Sequence, residues 1–325
     1  MSDLAIETQS LQKHYRSFHA VLGISSRGKV ARPSLHKHYH FLRAVDGLDM
    51  HVPKGSIYGF LGRNGAGKTT TIRLLAGLAH PTGGRMQVLG LDPQTDRIPI
   101  LERTGFVIDK MLIPSMTGND LVRFNRGFFP RWSDALAAKY AEVLEIPMKQ
   151  KFRKLSTGNQ TKLCLLLALA QGAELLILDE PTAGLDPVVT DQLLRVLVDD
   201  FANEGRTLFI SSHHLSEVER VADWVGIIDH GKLLLEECLD DVRAHFRRVR
   251  VVGENLPAVS RDQIFKTKTS EGTTEYIVRN DVDGFIAQLR SQGATVLDVS
   301  PMNLSEIFLE VVGKGEAHVP VEVLA

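Results

Sequence analysis

Eight residues, Gly62-Arg63-Asn64-Gly65-Ala66-Gly67-Lys68-Thr69, constrain this chain more than any other stretch. They fit G-x-x-x-x-G-K-[ST] and stand between a strand-like run, Ser56 to Leu61, and a helix-like run carrying Thr70 to Leu78. That context is what the pattern requires. Its glycines let the backbone curl until several N–H groups point into one concavity, and the positive end of the following helix reinforces it. Such a cradle holds a chain of phosphates. The candidate phosphate-binding residues are Gly62, Asn64, Gly65, Ala66, Gly67, Lys68, Thr69 and Thr70. Lys68 is placed to bridge the β- and γ-phosphates, and Thr69 to offer its hydroxyl to Mg²⁺.

A second station, Leu175-Leu176-Ile177-Leu178-Asp179-Glu180, is four apolar residues followed by two acids. The apolar run reads as a buried strand that delivers both carboxylates to its C-terminal end, where ligands sit in open α/β sheets. Asp179 is the candidate Mg²⁺ residue and Glu180 the candidate general base for an attacking water.

Around these stations the rhythm alternates strand and helix. Further strands are expected at Leu4 to Thr8, Met86 to Gly90, Thr207 to Ile210 and Val225 to Ile228. A mostly helical block fills Gly118 to Leu169, broken near Phe129-Pro130 and Ile146-Pro147. This alternation predicts a parallel sheet covered on both faces. Past about Asp240, strands at Val249 to Gly253, Glu275 to Arg279 and Ala294 to Val299 alternate with helices at Asp281 to Gln292 and Leu304 to Val312. Asn303 and Glu306 fit a capping pair at the start of the last one. A chain of 325 residues accommodates about two domains. The expected division is an α/β domain over residues 1–239 and a small C-terminal α+β accessory domain over 240–325.

Composition excludes several classes. Apolar residues are 43% and charged residues 24%, near soluble averages, which argues against disorder and coiled coil. The longest clean apolar run, Leu163 to Ala170, is eight residues, well short of the roughly 18 a membrane span needs. Lys and Arg number 38 against 39 Asp and Glu, so no global basic field points to nucleic acid. Cys164 and Cys238 cannot form a framework of bridges, and the first residues show no leader pattern; a cytoplasmic protein is expected.

Leu155-Ser156-Thr157-Gly158-Asn159-Gln160 precedes another apolar helical run, with Ser156 suited to cap it. With this segment 23 residues before Asp179, the chain resembles the ATP-binding subunit of an ABC transporter, whose signature is L-S-G-G-Q. Leu155, Ser156 and Gly158 match; Thr157 and Asn159 depart. Ala183-Gly184-Leu185-Asp186 resembles the D-loop, and Ser211-Ser212-His213 the switch-histidine loop. Gly105-Phe106-Val107-Ile108-Asp109 stands where the family has its Q-loop, with Asp109 in the glutamine's place. Details such as Phe128 to Trp132 and the C-terminal pattern resemble the ABC-2-type exporter, YtrB-like subgroup.

The resemblance implies a P-loop NTPase fold, a mostly parallel sheet with a helical subdomain at about 111–171. It implies ATP and Mg²⁺ as ligands, with Ser156, Gly158 and Asp186 completing the site of a second copy in a homodimer, or of a related ATPase subunit in a heterodimer. Asp109 would join Thr69 and Asp179 around the metal, and His213 would join Glu180 and Lys68 in catalysis. It implies integral-membrane permease subunits as partners, no nucleic acid, and a location at the inner face of the cell membrane. A soluble ABC ATPase acting on a nucleic-acid or ribosomal partner is the competing reading. Single motifs rather than two sets argue against it, and so does a gap of 111 residues from Lys68 to Asp179, too short to hold a long coiled coil.

One region stands outside this frame. Leu11-Gln12-Lys13-His14-Tyr15 is echoed 24 residues later by Leu35-His36-Lys37-His38-Tyr39. A polar loop is expected between the copies, within an insertion at about 16–40. Either Tyr39, by its spacing of 23 residues from Gly62, or Tyr15, by following the first strand, suits the family's adenine-stacking aromatic; Tyr39 is preferred. The alternation His36-x-His38-x-His40 is read as a solvated polar face rather than a metal site, and basic Arg243 to Arg250 as a solvated helix end.

Overall fold

Apolar runs with no polar interruption build the centre of the molecule. In the computed structural model, which describes residues 3–23, 34–108, 115–199, 205–252, 264–270 and 272–316, β3 (Ile57–Leu61), β6 (Leu175–Asp179) and β7 (Thr207–Ser212) are buried at every position. Strands of that kind need cover on both faces. They lie in a six-stranded sheet of order β5-β6-β7-β3-β8-β9, with β5 (Thr104–Val107) and β8 (Trp224–Asp229) parallel to them. Only β9 (Lys232–Cys238) runs antiparallel, after a tight turn at His230 and Gly231, both at positive φ, the requirement of the turn that suits a twisted hairpin.

One face of this sheet packs on α1 (Lys68–Leu75) and on a three-stranded antiparallel sheet of order β2-β1-β4, comprising β1 (Leu4–Gly23), β2 (Ser34–Pro53) and β4 (Gly83–Val88). The helix α2 (Arg97–Arg103) leads into β5. The other face packs on α6 (Pro187–Asp199) and on the helical block of α3 (Gly118–Arg126), α4 (Asp134–Val143) and α5 (Thr157–Ala170). Each helix of the block begins at a hydroxyl cap. Thr117 and Asp120 form a reciprocal box, Ser133 accepts from the Leu136 amide, and Ser156 from the Asn159 amide. The breaks near Phe129-Pro130 and Ile146-Pro147 are where the block divides.

The first strand differs from expectation. It does not stop at Thr8 but continues to Gly23, paired with β2 up to Gly23↔Ser34. Both echoed copies therefore lie in one long hairpin; the polar loop expected between them falls, but for Ser34, on residues outside those described. β4 begins at Gly83 and ends at Val88, because Leu89 and Gly90 turn at positive φ. The helix after the glycine loop ends at Leu75, before Gly77 at φ +65°.

After α7 (Leu215–Glu219) and α8 (Leu239–His245), a four-stranded antiparallel sheet has the order β11-β12-β10-β13. Its strands are β10 (Phe246–Val252), β11 (Ile264–Ser270), β12 (Thr273–Arg279) and β13 (Thr295–Pro301). Phe285 and Leu289 of α9 (Val282–Ser291) pack on Val249, Val251, Tyr276 and Val278. The last helix, α10 (Leu304–Glu316), turns back: Leu304, Ile307, Phe308 and Val311 share a cluster with Leu61, Val225 and Ile227 of the central sheet. A hydrophobic core thus spans the expected boundary at residue 239. Asn303 and Glu306 form the capping pair read from sequence, each side chain accepting the other's amide at 2.9–3.0 Å.

The basic run Arg243 to Arg250 is not a free helix end. It crosses from α8 into β10, where Arg248 pairs with Glu306 and Glu275, and Arg250 with Asp298. Those charges are spent in holding the C-terminal elements together. Among the described residues no helix is long and apolar enough to cross a membrane.

Candidate active site

The glycine loop takes its shape from two crowded positions. Gly67 has φ +115°, and a Cβ there would lie 2.3 Å from the Ala44 carbonyl oxygen. A Cβ on Gly62 would lie 2.5 Å from that of Ile228. Only glycine fits at either place. The curl folds Lys68 back into the loop: its buried ammonium donates to the Gly62 carbonyl at 2.7 Å. Asn64 and Gly65 stand at the exposed rim, while Thr69 and Thr70 are half-buried in the first turn of α1.

Parallel neighbours β6 and β7 bring the acids to the same edge. Asp179 pairs with Ser211 in register, and the Ser211 hydroxyl donates to Asp179 Oδ1 at 2.6 Å. The other carboxylate oxygen, Oδ2, is buried with no hydrogen-bond partner. Glu180 follows with φ +50°, a costly conformation for a residue with a side chain. Its amide is held by the Ser211 carbonyl at 3.1 Å and the Ser211 hydroxyl at 3.2 Å. This backbone twist aims the Glu180 carboxylate between two partners: Oε1 lies 3.1 Å from Lys68 Nζ, and Oε2 lies 2.7 Å from His213 Nδ1.

Lys68, Asp179, Glu180 and His213, named from sequence, are therefore gathered in one place. Ser211 is the residue that sequence reading passed over. Sequence names it only within the Ser211-Ser212-His213 loop, because its partner Asp179 lies on the neighbouring strand and is brought opposite by register. Ser156 and Gly158 head α5, where Gly158 packs beside Leu185. Asp186 is exposed and its Oδ1 accepts the amides of Val188 and Val189, capping α6. Asp109 lies outside the described residues.

Tyr39 lies opposite Phe18 in the hairpin, and its side chain, with those of His36, His38 and His40, lies outside the described residues. Tyr15 pairs with Leu42, closer to the glycine loop, its ring partly exposed and 5.1 Å from the Lys13 ammonium. No group of three or more histidine, cysteine or acidic side chains among the described residues is placed to hold a metal.

Beside α3 a groove opens between the helical block and the central sheet, lined by Leu101, Phe106, Phe129, Cys164 and Leu167. Phe124 and Phe128 stand exposed near its mouth with ring centroids 4.8 Å apart. Burial pushes the Cys164 thiol up to about 12, so it is a packing group and not a nucleophile.

A family model described as ABC transporter matches residues 45–183. The bacitracin transport ATP-binding protein BcrA of Bacillus licheniformis is 36% identical over 300 residues, covering 86% of this chain and 96% of that protein. The Nod factor export ATP-binding protein I of Burkholderia orbicola is 31% identical, with 86% and 96% covered. YtrB of Bacillus subtilis, an ABC transporter ATP-binding protein, is 26% identical, with 83% and 96% covered. Among solved structures, an ATP-binding subunit of an ABC transporter superposes with TM-score 0.60 at 21% identity, over 74% of this chain and 92% of that one. A dimeric ATP-binding cassette in a post-hydrolysis state with ADP and Pi gives 0.56 at 18%, over 72% and 98%.

Proposed function

The chain belongs to the ABC transporter family as an ATP-binding, ATP-hydrolysing subunit, and from that premise we propose that two copies close on two ATP molecules to drive export through separate membrane subunits. The observation that carries the mechanism is the contact chain Lys68–Glu180–His213 at the catalytic edge of the sheet. Lys68 and Glu180 neutralise one another across 3.1 Å. A triphosphate lying in the glycine loop competes with Glu180 for the ammonium. Glu180 is then left to accept a proton from the attacking water, and His213 holds Glu180 and the terminal phosphate in line. Charge stabilisation by Lys68 and the loop amides supplies most of the rate effect.

Asp179 and Thr69 fit Mg²⁺. Asp179 keeps one buried oxygen without a protein partner, as a group that meets a hydrated cation should. Bound there, Mg²⁺ would neutralise phosphate charge. Ser211 is a positioning residue: it fixes which Asp179 oxygen is left for that purpose and braces the twisted Glu180 backbone.

Ser156, Gly158 and Asp186 serve the opposite copy's nucleotide in this reading. The exposed Phe124–Phe128 pair and the groove beside it support docking of a permease element near Asp109 and the helical block. The name of one relative, for Nod factor export, supports export as the direction, and that of another, for bacitracin transport, supports transport. Affinity purification from membranes tests the partner: co-purification of a polytopic membrane subunit is expected. Recovery with ribosomes or nucleic acid in its place overturns the transport reading.

A further inference from the structure

We propose that Glu219 is a positioning residue through which the C-terminal elements hold His213 against Glu180; the proposal rests on the role given to His213 above. His213 reaches the Glu180 carboxylate at 2.7 Å, yet its side chain is 40% exposed, so burial does little to fix the ring. Its place is set by the backbone on either side. β7 ends just before it at Ser212, and α7 starts just after it with His214 as the N-cap. The His214 ring also lies against that of His213, 4.0 Å between centroids. Wherever α7 goes, His213 follows.

α7 is five residues long, and isolated helices shorter than about 12–15 residues are marginal in water. Its hold comes from neighbours. Val218 fills the space a side chain on Gly59 would occupy, so it rests directly on the backbone of β3. Its other supports are C-terminal. Arg243 of α8 donates Nη2 to the Glu219 carbonyl at 2.8 Å, which satisfies an acceptor that a helix end leaves open. The Glu219 carboxylate accepts the amide of Leu304, the first residue of α10, at 3.0 Å. The capping pair takes the amides of Asn303 and Glu306, and Glu219 takes the one between them. A carboxylate at the start of a thirteen-residue helix also meets its positive end. Below this contact Leu215 and Val218 share an apolar cluster with Leu304, Ile307 and Val311.

Arg243 and Leu304 both lie beyond residue 239, in the part of the chain that carries none of the nucleotide motifs. The C-terminal elements thus reach the reaction centre through one side chain and one short helix. The glycine loop takes its shape from Ala44 and Ile228 instead. Loosening Glu219 therefore acts on the hydrolytic step and leaves the hold on ATP in place.

The test uses the full chain with Glu219→Ala, Glu219→Asp or Glu219→Gln, each made with and without His213→Ala. The aspartate keeps the charge but is one methylene short of the Leu304 amide; the glutamine keeps the reach and an acceptor oxygen. Thermal melts establish which versions fold, and turnover is compared per folded molecule at saturating ATP and Mg²⁺. Glu219→Ala and Glu219→Asp should each lower turnover about tenfold, the scale of one hydrogen bond to a charged group, with ATP affinity by fluorescent-nucleotide titration unchanged. Glu219→Gln should recover most of the loss. With His213→Ala in place, the same changes at Glu219 should alter the residual turnover by less than about twofold, because both act through one imidazole. Should Glu219→Ala fail to fold, Glu219→Asp carries the comparison. Equal losses with and without His213, full turnover in Glu219→Asp, or a loss of ATP affinity in place of turnover would each overturn the proposal and leave Glu219 a fold contact. Full turnover in His213→Ala alone would overturn the role of His213 as well.

Discussion

Ser211→Ala removes one hydroxyl from a fully buried position. That hydroxyl donates to Asp179 at 2.6 Å and receives the Glu180 amide at 3.2 Å. A hydrogen bond to a charged group contributes about 1.5–3 kcal/mol, and at this length it belongs to the charge-assisted class. The Glu180 amide keeps the Ser211 carbonyl, so the loss falls mainly on Asp179, whose carboxylate is freed to rotate. At about 1.4 kcal/mol per factor of ten, turnover should fall by about 10- to 150-fold. Nucleotide affinity measured without Mg²⁺ should be unchanged, and the increase in affinity on adding Mg²⁺ should shrink. Ser211→Thr keeps the hydroxyl and should recover part of the loss, at a packing cost of about 1–3 kcal/mol for the added methyl. Steady-state hydrolysis, fluorescent-nucleotide titration with and without Mg²⁺, and thermal melts separate the effects. A melt lowered by the same free energy, with turnover per folded molecule and Mg²⁺ response untouched, would refute the positioning role and leave Ser211 a core hydrogen bond.

Other substitutions test neighbouring links. Lys68→Ala should abolish measurable ATP binding while the fold persists; normal titration would remove the loop from its role. Glu180→Gln should retain ATP affinity and lose about 10²- to 10⁴-fold in turnover, checked by phosphate release. Gly67→Ala forces a side chain onto a left-handed backbone 2.3 Å from a carbonyl oxygen, at about 1–3 kcal/mol for the backbone alone, and should be read as lost nucleotide binding with a lowered melt. At the opposite edge of the sheet, hydrogen bonding to Arg103, with Arg131 adding to it, holds the Glu174 carboxyl below the usual range. The stabilisation is therefore present above the unfolded value of about 4.3 and is lost as pH falls through the lower folded value. Glu174→Gln should cost up to about 1 kcal/mol near pH 7, and denaturation curves of the two proteins should converge once the pH has fallen through the lowered folded value of Glu174.

Residues whose role is set by local chain chemistry were legible. The glycine spacing of the phosphate loop, the apolar run delivering Asp179 and Glu180, and the hydroxyl cap of α5 each act within a few residues. The caps at Ser156 and Asn303 formed as read. Roles set by register across strands were not. Ser211 matters only because β6 and β7 place it beside Asp179, and no pattern along one strand states its neighbour. The hairpin misled for a related reason. The mostly polar residues from Gln9 to His14 end the strand-like run at Thr8, but Phe18, Val21, Leu22, Leu35, Tyr39 and Phe41 favour extended chain, and pairing of the two runs carries β1 on to Gly23. The pairing of the basic run with Glu306, Glu275 and Asp298 was hidden likewise, since its partners lie 25 residues or more further along the chain.

The shared composition of the site is tested most directly by mixing two inactive chains. One carries Lys68→Ala and cannot hold phosphate; the other carries Gly158→Asp, which sets a negative charge at the head of α5. Each alone should be inert with ATP and Mg²⁺. Mixed, they form pairs in which one intact glycine loop faces one intact α5 head, so hydrolysis should return at a sizeable fraction of the unaltered rate. Silence in the mixture, with sedimentation showing that mixed pairs form, would mean that each chain completes its own reaction centre.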